Sequence, residues 1–115
     1  MRPDLQQQLY ERYPAIFEHE PGFACGDGWF DLIDVLCAQL QGVTEHGGPQ
    51  VVATQVKEKF GSLRFYTASL NDEQHGMVEL AEALSVRICE VCGSRGQLYK
   101  PGWVRTRCDA HAETR

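Results

Sequence analysis

The chain has 115 residues, 43% of them hydrophobic, with five cysteines and a formal net charge of −5. That length supports one domain with a single modest core. No apolar run approaches the roughly 20 residues needed to cross a bilayer, and the polar start "MRPDLQQQLYERYPAIF" does not resemble a signal peptide. The expectation is a cytoplasmic protein with no membrane partner, whose cysteines are reduced and available to a metal instead of being paired in disulfides.

In chain order, residues 3–13 are predicted to form a first helix. Pro3 suits the first turn, Leu5 and Leu9 follow helical spacing, and Pro14 limits continuation. "EHEPGFACGDG", residues 18–28, reads as a loop rich in turn formers. The clearest helix follows, where Trp29, Leu32, Ile33, Leu36, Cys37 and Leu40 form one apolar stripe. Asp27 is the expected N-cap and Gly42 the expected stop. Cys37 lies on the stripe and is expected to be buried, while Cys25 sits in the preceding loop. Asp27, Asp31 and Asp34 share a face at i, i+4 and i+7, an acidic stripe able to dock on a basic partner.

"VVATQVKEKFGSLRFYT" alternates with period two and predicts a β-hairpin turning at Gly61. Val52, Val56 and Phe60 are expected on the buried face with Leu63 and Phe65. Lys57, Lys59, Arg64 and Tyr66 are expected on the polar face, where cations beside an aromatic can bind single-stranded nucleic acid or an acidic protein surface. Glu58 has the parity of the buried face and would need a partner there. Asn71 and Gln74 resemble a capping box that opens a third helix over 72–88, with Met77, Leu80, Ala81, Leu84 and Ile88 as its inward stripe and Val78 outside it.

The last quarter carries the strongest signal. Cys89-x2-Cys92 and Cys108-x2-His111 place two pairs of soft donors 15 residues apart. The first pair can reach one ion from a tight turn that Gly93 makes possible. The second can do so from the start of a short helix, and a hairpin turning at Pro101-Gly102 joins them. Knuckle, hairpin and helix N-terminus in that order resemble a treble clef. Three thiolates and one imidazole complete a tetrahedral shell, the pattern of structural Zn²⁺ and not of catalytic zinc. A redox role for Cys89 and Cys92 lacks the strand that leads into such pairs in thioredoxin-like proteins. A His-Asn-His type of nuclease would need a histidine on the hairpin, which offers Tyr99, Lys100, Trp103, Arg105 and Arg107 instead.

Charge is unevenly spread. Acidic side chains dominate residues 1–86, whereas residues 87–115 carry Arg87, Arg95, Lys100, Arg105, Arg107 and Arg115 against Glu90, Asp109 and Glu113. That excess is too small to make nucleic acid the favoured partner on charge alone.

"CGDGWFDLIDVLC", "VKEKFGSLRFY" and "CEVCG…CDAHA" together resemble a small family of phage, prophage and bacterial proteins to which no activity is attached. The resemblance spans nearly the whole chain apart from the first dozen residues and the 43–50 loop. It implies a small cytoplasmic protein acting in a host or infected cell, and it singles out residues 25–29, 57–61 and 63–66.

These readings combine into an α+β protein. A body, residues 1–88, packs helices on a β-hairpin, and a zinc-binding element, residues 89–115, packs on that body. The expected function is a non-catalytic zinc protein acting by macromolecular contact, with a host protein as the phage-borne case. The contact residues would come from Lys57, Lys59, Arg64, Tyr66, Asp27, Asp31, Asp34, Arg105 and Arg107. The alternatives are nucleic-acid binding through the basic hairpin face and tail, and a hydrolase using the glycine-rich loop.

Overall fold

The computed structural model describes residues 1–115. Three α-helices are formed: α1 (Pro3–Arg12), α2 (Phe30–Glu45) and α3 (Asp72–Ser85). Two antiparallel two-stranded hairpins accompany them: β1 (Ala53–Lys59) with β2 (Ser62–Thr67), and β3 (Gln97–Tyr99) with β4 (Arg105–Arg107). The class is α+β. None of the helices is long and apolar enough to cross a membrane.

α2 supplies the centre of the core through Ile33, Leu36, Cys37 and Leu40. Against it lie Val56, Leu63 and Phe65 of the first hairpin, and a cluster in which Phe17 meets Tyr10, Phe23 and Phe65 at ring-centroid distances of 5.1–6.4 Å. Trp29 is fully buried, and its indole N–H donates to the Ile88 carbonyl at 2.9 Å.

Four local expectations give way. Asp27 does not cap α2: it opens a single 3-10 turn, Asp27–Trp29, with no side-chain cap bond, and its carboxylate instead accepts from the Arg2 amide at 2.7 Å. Gly42 does not end α2, which continues to Glu45, because nothing in that turn demands a left-handed residue. In β1 a bulge between Ala53 and Gln55 shifts the alternation, so Val51, Ala53 and Val56 point inward in place of Val52. Phe60 is not in the core. It is 68% exposed at the tip of the hairpin, where Phe60 (φ 53°) and Gly61 (φ 80°) form a two-residue turn with both dihedrals positive.

α3 is rotated relative to expectation. The capping box is present, with Asn71 accepting from the Gln74 amide at 2.9 Å and Gln74 accepting from the Asn71 amide at 3.0 Å. The inward face, however, is Gln74, Val78, Ala81 and Ser85, whereas Leu80 and Leu84 are exposed. The reason lies at the open edge of β2. Ser85 Oγ accepts from the Leu63 amide at 2.9 Å and Glu82 accepts from the Phe65 amide at 2.9 Å, so α3 satisfies strand donors that no neighbouring strand reaches. Polar groups needed inward turn two leucines outward.

Candidate metal centre

α3 ends at Ser85, and the chain reaches Cys89 almost at once. A tight loop is closed by the Cys89 amide donating to Ser94 O at 2.7 Å and the Gly93 amide donating to Cys89 O at 2.8 Å, with Gly93 at φ 81°. The β3–β4 hairpin then carries the chain to Cys108. The expected helix there is one 3-10 turn, Asp109–His111, closed by the His111 amide donating to Cys108 O at 3.1 Å.

The three sulfurs and one imidazole nitrogen of Cys89, Cys92, Cys108 and His111 all lie within 4.8 Å of one another. Nδ1 of His111 is 3.3 Å from the Cys108 sulfur and 3.8 Å from the Cys89 sulfur, and the Cys92 and Cys108 sulfurs are 3.7 Å apart. Cys89 is fully buried while Cys92 is exposed, so the cluster sits at the surface with its inner corner in the protein. Such a group can hold one metal ion with all four corners filled by protein. Hydrogen bonds from Ser94, side chain first and then backbone, lower the Cys92 thiol to about 6, which favours its thiolate.

Cys25 and Cys37 stay outside the cluster. Burial, followed by the Glu90 charge, pushes the Cys25 thiol up to about 12, and burial followed by Asp34 raises Cys37 well above its ordinary range. Both act as neutral apolar side chains.

The tail residues expected to face a partner are spent internally. Arg105 is buried: it donates to the Ala112, Pro101 and Trp103 carbonyls and lies over the Trp103 ring at 4.1 Å. Arg107, also buried, donates to Thr114 O and pairs with Glu90 at 3.1 Å. Together they clamp the segment that carries His111 onto β4. The acidic stripe is similarly engaged. Asp27 holds Arg2, and Asp34 pairs with Arg12 at 2.9 Å and accepts from the Tyr13 hydroxyl at 2.7 Å, so both fasten α1, leaving only Asp31 exposed.

The glycine-rich loop has a structural partner. Its Gly26 amide donates to the Glu90 carboxylate and its Gly28 amide to the Glu90 carbonyl, each at 2.8 Å. These two amides are therefore taken by Glu90 and are not free to receive an anion. Glu90 was not singled out by sequence reasoning. Its only signal is a carboxylate inside a metal knuckle, and pattern alone does not say what it holds.

On the hairpin, Lys57 faces Arg64 across the ladder and lies 5.8 Å from the centre of the Tyr66 ring. Lys59 is exposed and lies 5.7 Å from that of Phe60. Arg64 is half-buried, and its Nε has no hydrogen-bond partner. Glu58 is satisfied without either cation: its carboxylate accepts from the Gly61 amide at 2.7 Å and closes the turn. The second hairpin supports this turn from behind. Thr106 Oγ1 donates to Gly61 O at 2.6 Å, and a Cβ on Gly61 would lie 2.5 Å from Leu98 Cδ1. No protein-family model matches the chain, and neither does any curated protein or solved structure.

Proposed function

We propose that this is a non-catalytic zinc protein whose metal-held tail braces a hairpin tip for contact with a macromolecule. Donor chemistry and spacing support zinc. Tetrahedral zinc with Zn–S of about 2.3 Å and Zn–N of about 2.0–2.1 Å has sulfur–sulfur edges near about 3.8 Å and sulfur–nitrogen edges near about 3.6 Å. The Cys92–Cys108 sulfur separation of 3.7 Å lies close to the first edge, the His111 nitrogen stands 3.3 and 3.8 Å from the Cys108 and Cys89 sulfurs, on either side of the second, and every donor pair lies within 4.8 Å. The order of knuckle, hairpin and short turn supports reading it as treble-clef-like, with the helix reduced to one turn.

One observation carries the contact function. Phe60, a bulky residue in left-handed backbone, is 68% exposed. Such a conformation costs energy for a non-glycine residue and persists where surrounding structure imposes it. Here the two-residue turn requires it, and Glu58 and Thr106 hold that turn through the amide and carbonyl of Gly61. Phe60 is thus held outward with Lys59 beside it and Lys57 and Tyr66 along the same hairpin. The partner in this reading is a protein with an acidic, partly apolar surface. A phage-borne origin, a host-protein target and a cytoplasmic setting rest on the sequence resemblance and the cysteine chemistry.

The test substitutes Phe60→Asn, since Asn tolerates left-handed backbone. Metal content and melting temperature are expected to hold or rise, while partners captured by the wild-type chain from bacterial extract are lost. Unchanged capture would sink the proposal. The second reading is nucleic acid, favoured by Lys57, Lys59 and Tyr66 on one hairpin. It requires binding of a short single-stranded oligonucleotide that weakens steeply with salt, with a slope reduced by Lys57→Ala and Lys59→Ala.

A further inference from the structure

The outward face of α3 has no partner within the chain. Glu73, Gly76, Leu80 and Ala83 recur at spacings of three, four and three along α3, Arg87 follows four residues on in the turn just past its end, and all five are exposed. The spacing is the a/d rhythm of a helix that packs against another helix, with Leu80 as its large apolar member. Leu80 is 70% exposed and Leu84 43%, and Val35 of α2, 60% exposed, extends the apolar strip sideways. Gly76 lies inside the helix with no atom near the position of an added Cβ. A glycine there weakens the helix, and nothing in the chain crowds it.

We propose that this face pairs two copies of the chain, with α3 antiparallel to its counterpart and the two-fold axis beside Leu80. The arrangement follows from the sequence of the face itself. Residues level with each other across such an axis are equidistant from position 80 in opposite directions. Arg87 then meets Glu73 of the second copy, and Glu73 meets its Arg87. Neither residue has an ion-pair partner in its own chain. Leu84 stands opposite the open site at Gly76, and Met77 stands opposite the small Ala83. Leu80 thus meets its own counterpart at the axis, Leu84 and Met77 are offered small residues, and Glu73 and Arg87 each meet the opposite charge, the self-complementarity that a two-fold interface requires.

A basic amphipathic helix from another protein would satisfy Glu73 but would meet Arg87 with like charge. A helix about 21 Å long buries area at the small end of specific interfaces, below about 1,200 Å² in total, the size class of transient pairing. The zinc cluster and the Phe60 turn take no part in this face, which leaves two hairpin tips available per pair.

Sedimentation equilibrium of the metal-loaded full chain, from about 5 to about 500 μM, tests the proposal. The wild type should move from monomer to dimer. Leu80→Glu should weaken association at least about tenfold, with an unchanged circular dichroism spectrum because Leu80 is exposed. Glu73→Arg and Arg87→Glu should each weaken it, since each variant faces like charge in its own pair. An equimolar mixture of those two variants should pair again, because both contacts become complementary. A wild-type chain that stays monomeric throughout overturns the proposal. So does a dimer indifferent to Leu80→Glu, or a mixture that associates no better than its components.

Discussion

The amide of Gly28 donates to the carbonyl of Glu90 at 2.8 Å, and a Cβ on Gly28 would stand 2.1 Å from the carbonyl oxygen of Cys89. The loop that opens α2 and the knuckle that carries Cys89 are therefore in backbone contact, with no room for a side chain. Gly26 makes the same approach, its Cβ position falling 2.3 Å from Glu90 O. The same region is tied to the core, because the Trp29 indole is fastened to Ile88, next to Cys89.

Gly28→Ala is expected to destabilise the fold by about 2–3 kcal/mol, since backbone crowds the new methyl and cannot yield without moving the knuckle. The same substitution should weaken metal binding in a chelator competition. Gly42→Ala is the control. That site is helical and open, so alanine should stabilise by up to about 1 kcal/mol. Denaturant midpoints of the two variants measure both effects, and equal midpoints would refute the close-approach account.

Cys92→Ser is expected to release the metal and loosen residues 89–115. Structural zinc contributes on the order of 10 kcal/mol of apparent folding free energy in small sites, and this tail offers little apolar core to replace it. Elemental analysis should give a single zinc per wild-type chain and none for the variant. Trp29, hydrogen-bonded to Ile88, and Trp103, stacked on Arg105, should report the loss as red-shifted fluorescence. Chelator should give the same shift in the wild type and no further change in Cys92→Ser.

The gathering of Cys89, Cys92, Cys108 and His111 into one cluster was legible because each pair has the spacing that sharing one ion requires. The capping box at Asn71 and Gln74 and the stripe of α2 were legible for the same reason: each is a local pattern with one physical meaning. The rotation of α3 was not, because it depends on Ser85 and Glu82 meeting β2 amides that lie about twenty residues earlier in the chain. Phe60 was assigned inward by parity, which a two-residue turn ends. Arg105 and Arg107 read as exposed cations by residue type. Their burial depends on carbonyls of the last four residues folding back over β4, a contact that no periodicity encodes.

Ser85→Ala tests the α3 argument. Removing the hydroxyl leaves the Leu63 amide buried without an acceptor, at a cost of about 1–3 kcal/mol, against a gain of a few tenths from helix propensity. The net loss should appear in urea unfolding, with faster hydrogen exchange at Leu63. Ser85→Thr retains the hydroxyl and should recover part of that protection. An alanine variant as stable as the wild type would remove the reason given for the outward turn of Leu80 and Leu84.

The thiols differ in reach and in pH dependence. Cys92 is exposed while Cys25 and Cys37 are buried, so Cys92 should be among the first cysteines alkylated by iodoacetamide at neutral pH in chelator-treated protein, and Cys25 and Cys37 the last. Cys25, raised to about 12, stays protonated in the folded chain at a pH where the unfolded chain has already ionised it. The folded state then binds more protons than the unfolded state, so stability falls as pH rises. The contribution is intact below the ordinary thiol range and declines above about pH 9, by up to about 1.4 kcal/mol per pH unit for each such thiol, until Cys25 itself ionises. Cys37 adds to the decline in the same direction. Urea unfolding at stepped alkaline pH should show this loss, and Cys25→Ala should be less stable at neutral pH yet flatter in its pH dependence. Parallel curves for the two chains would mean that the Cys25 thiol is not held neutral by the fold.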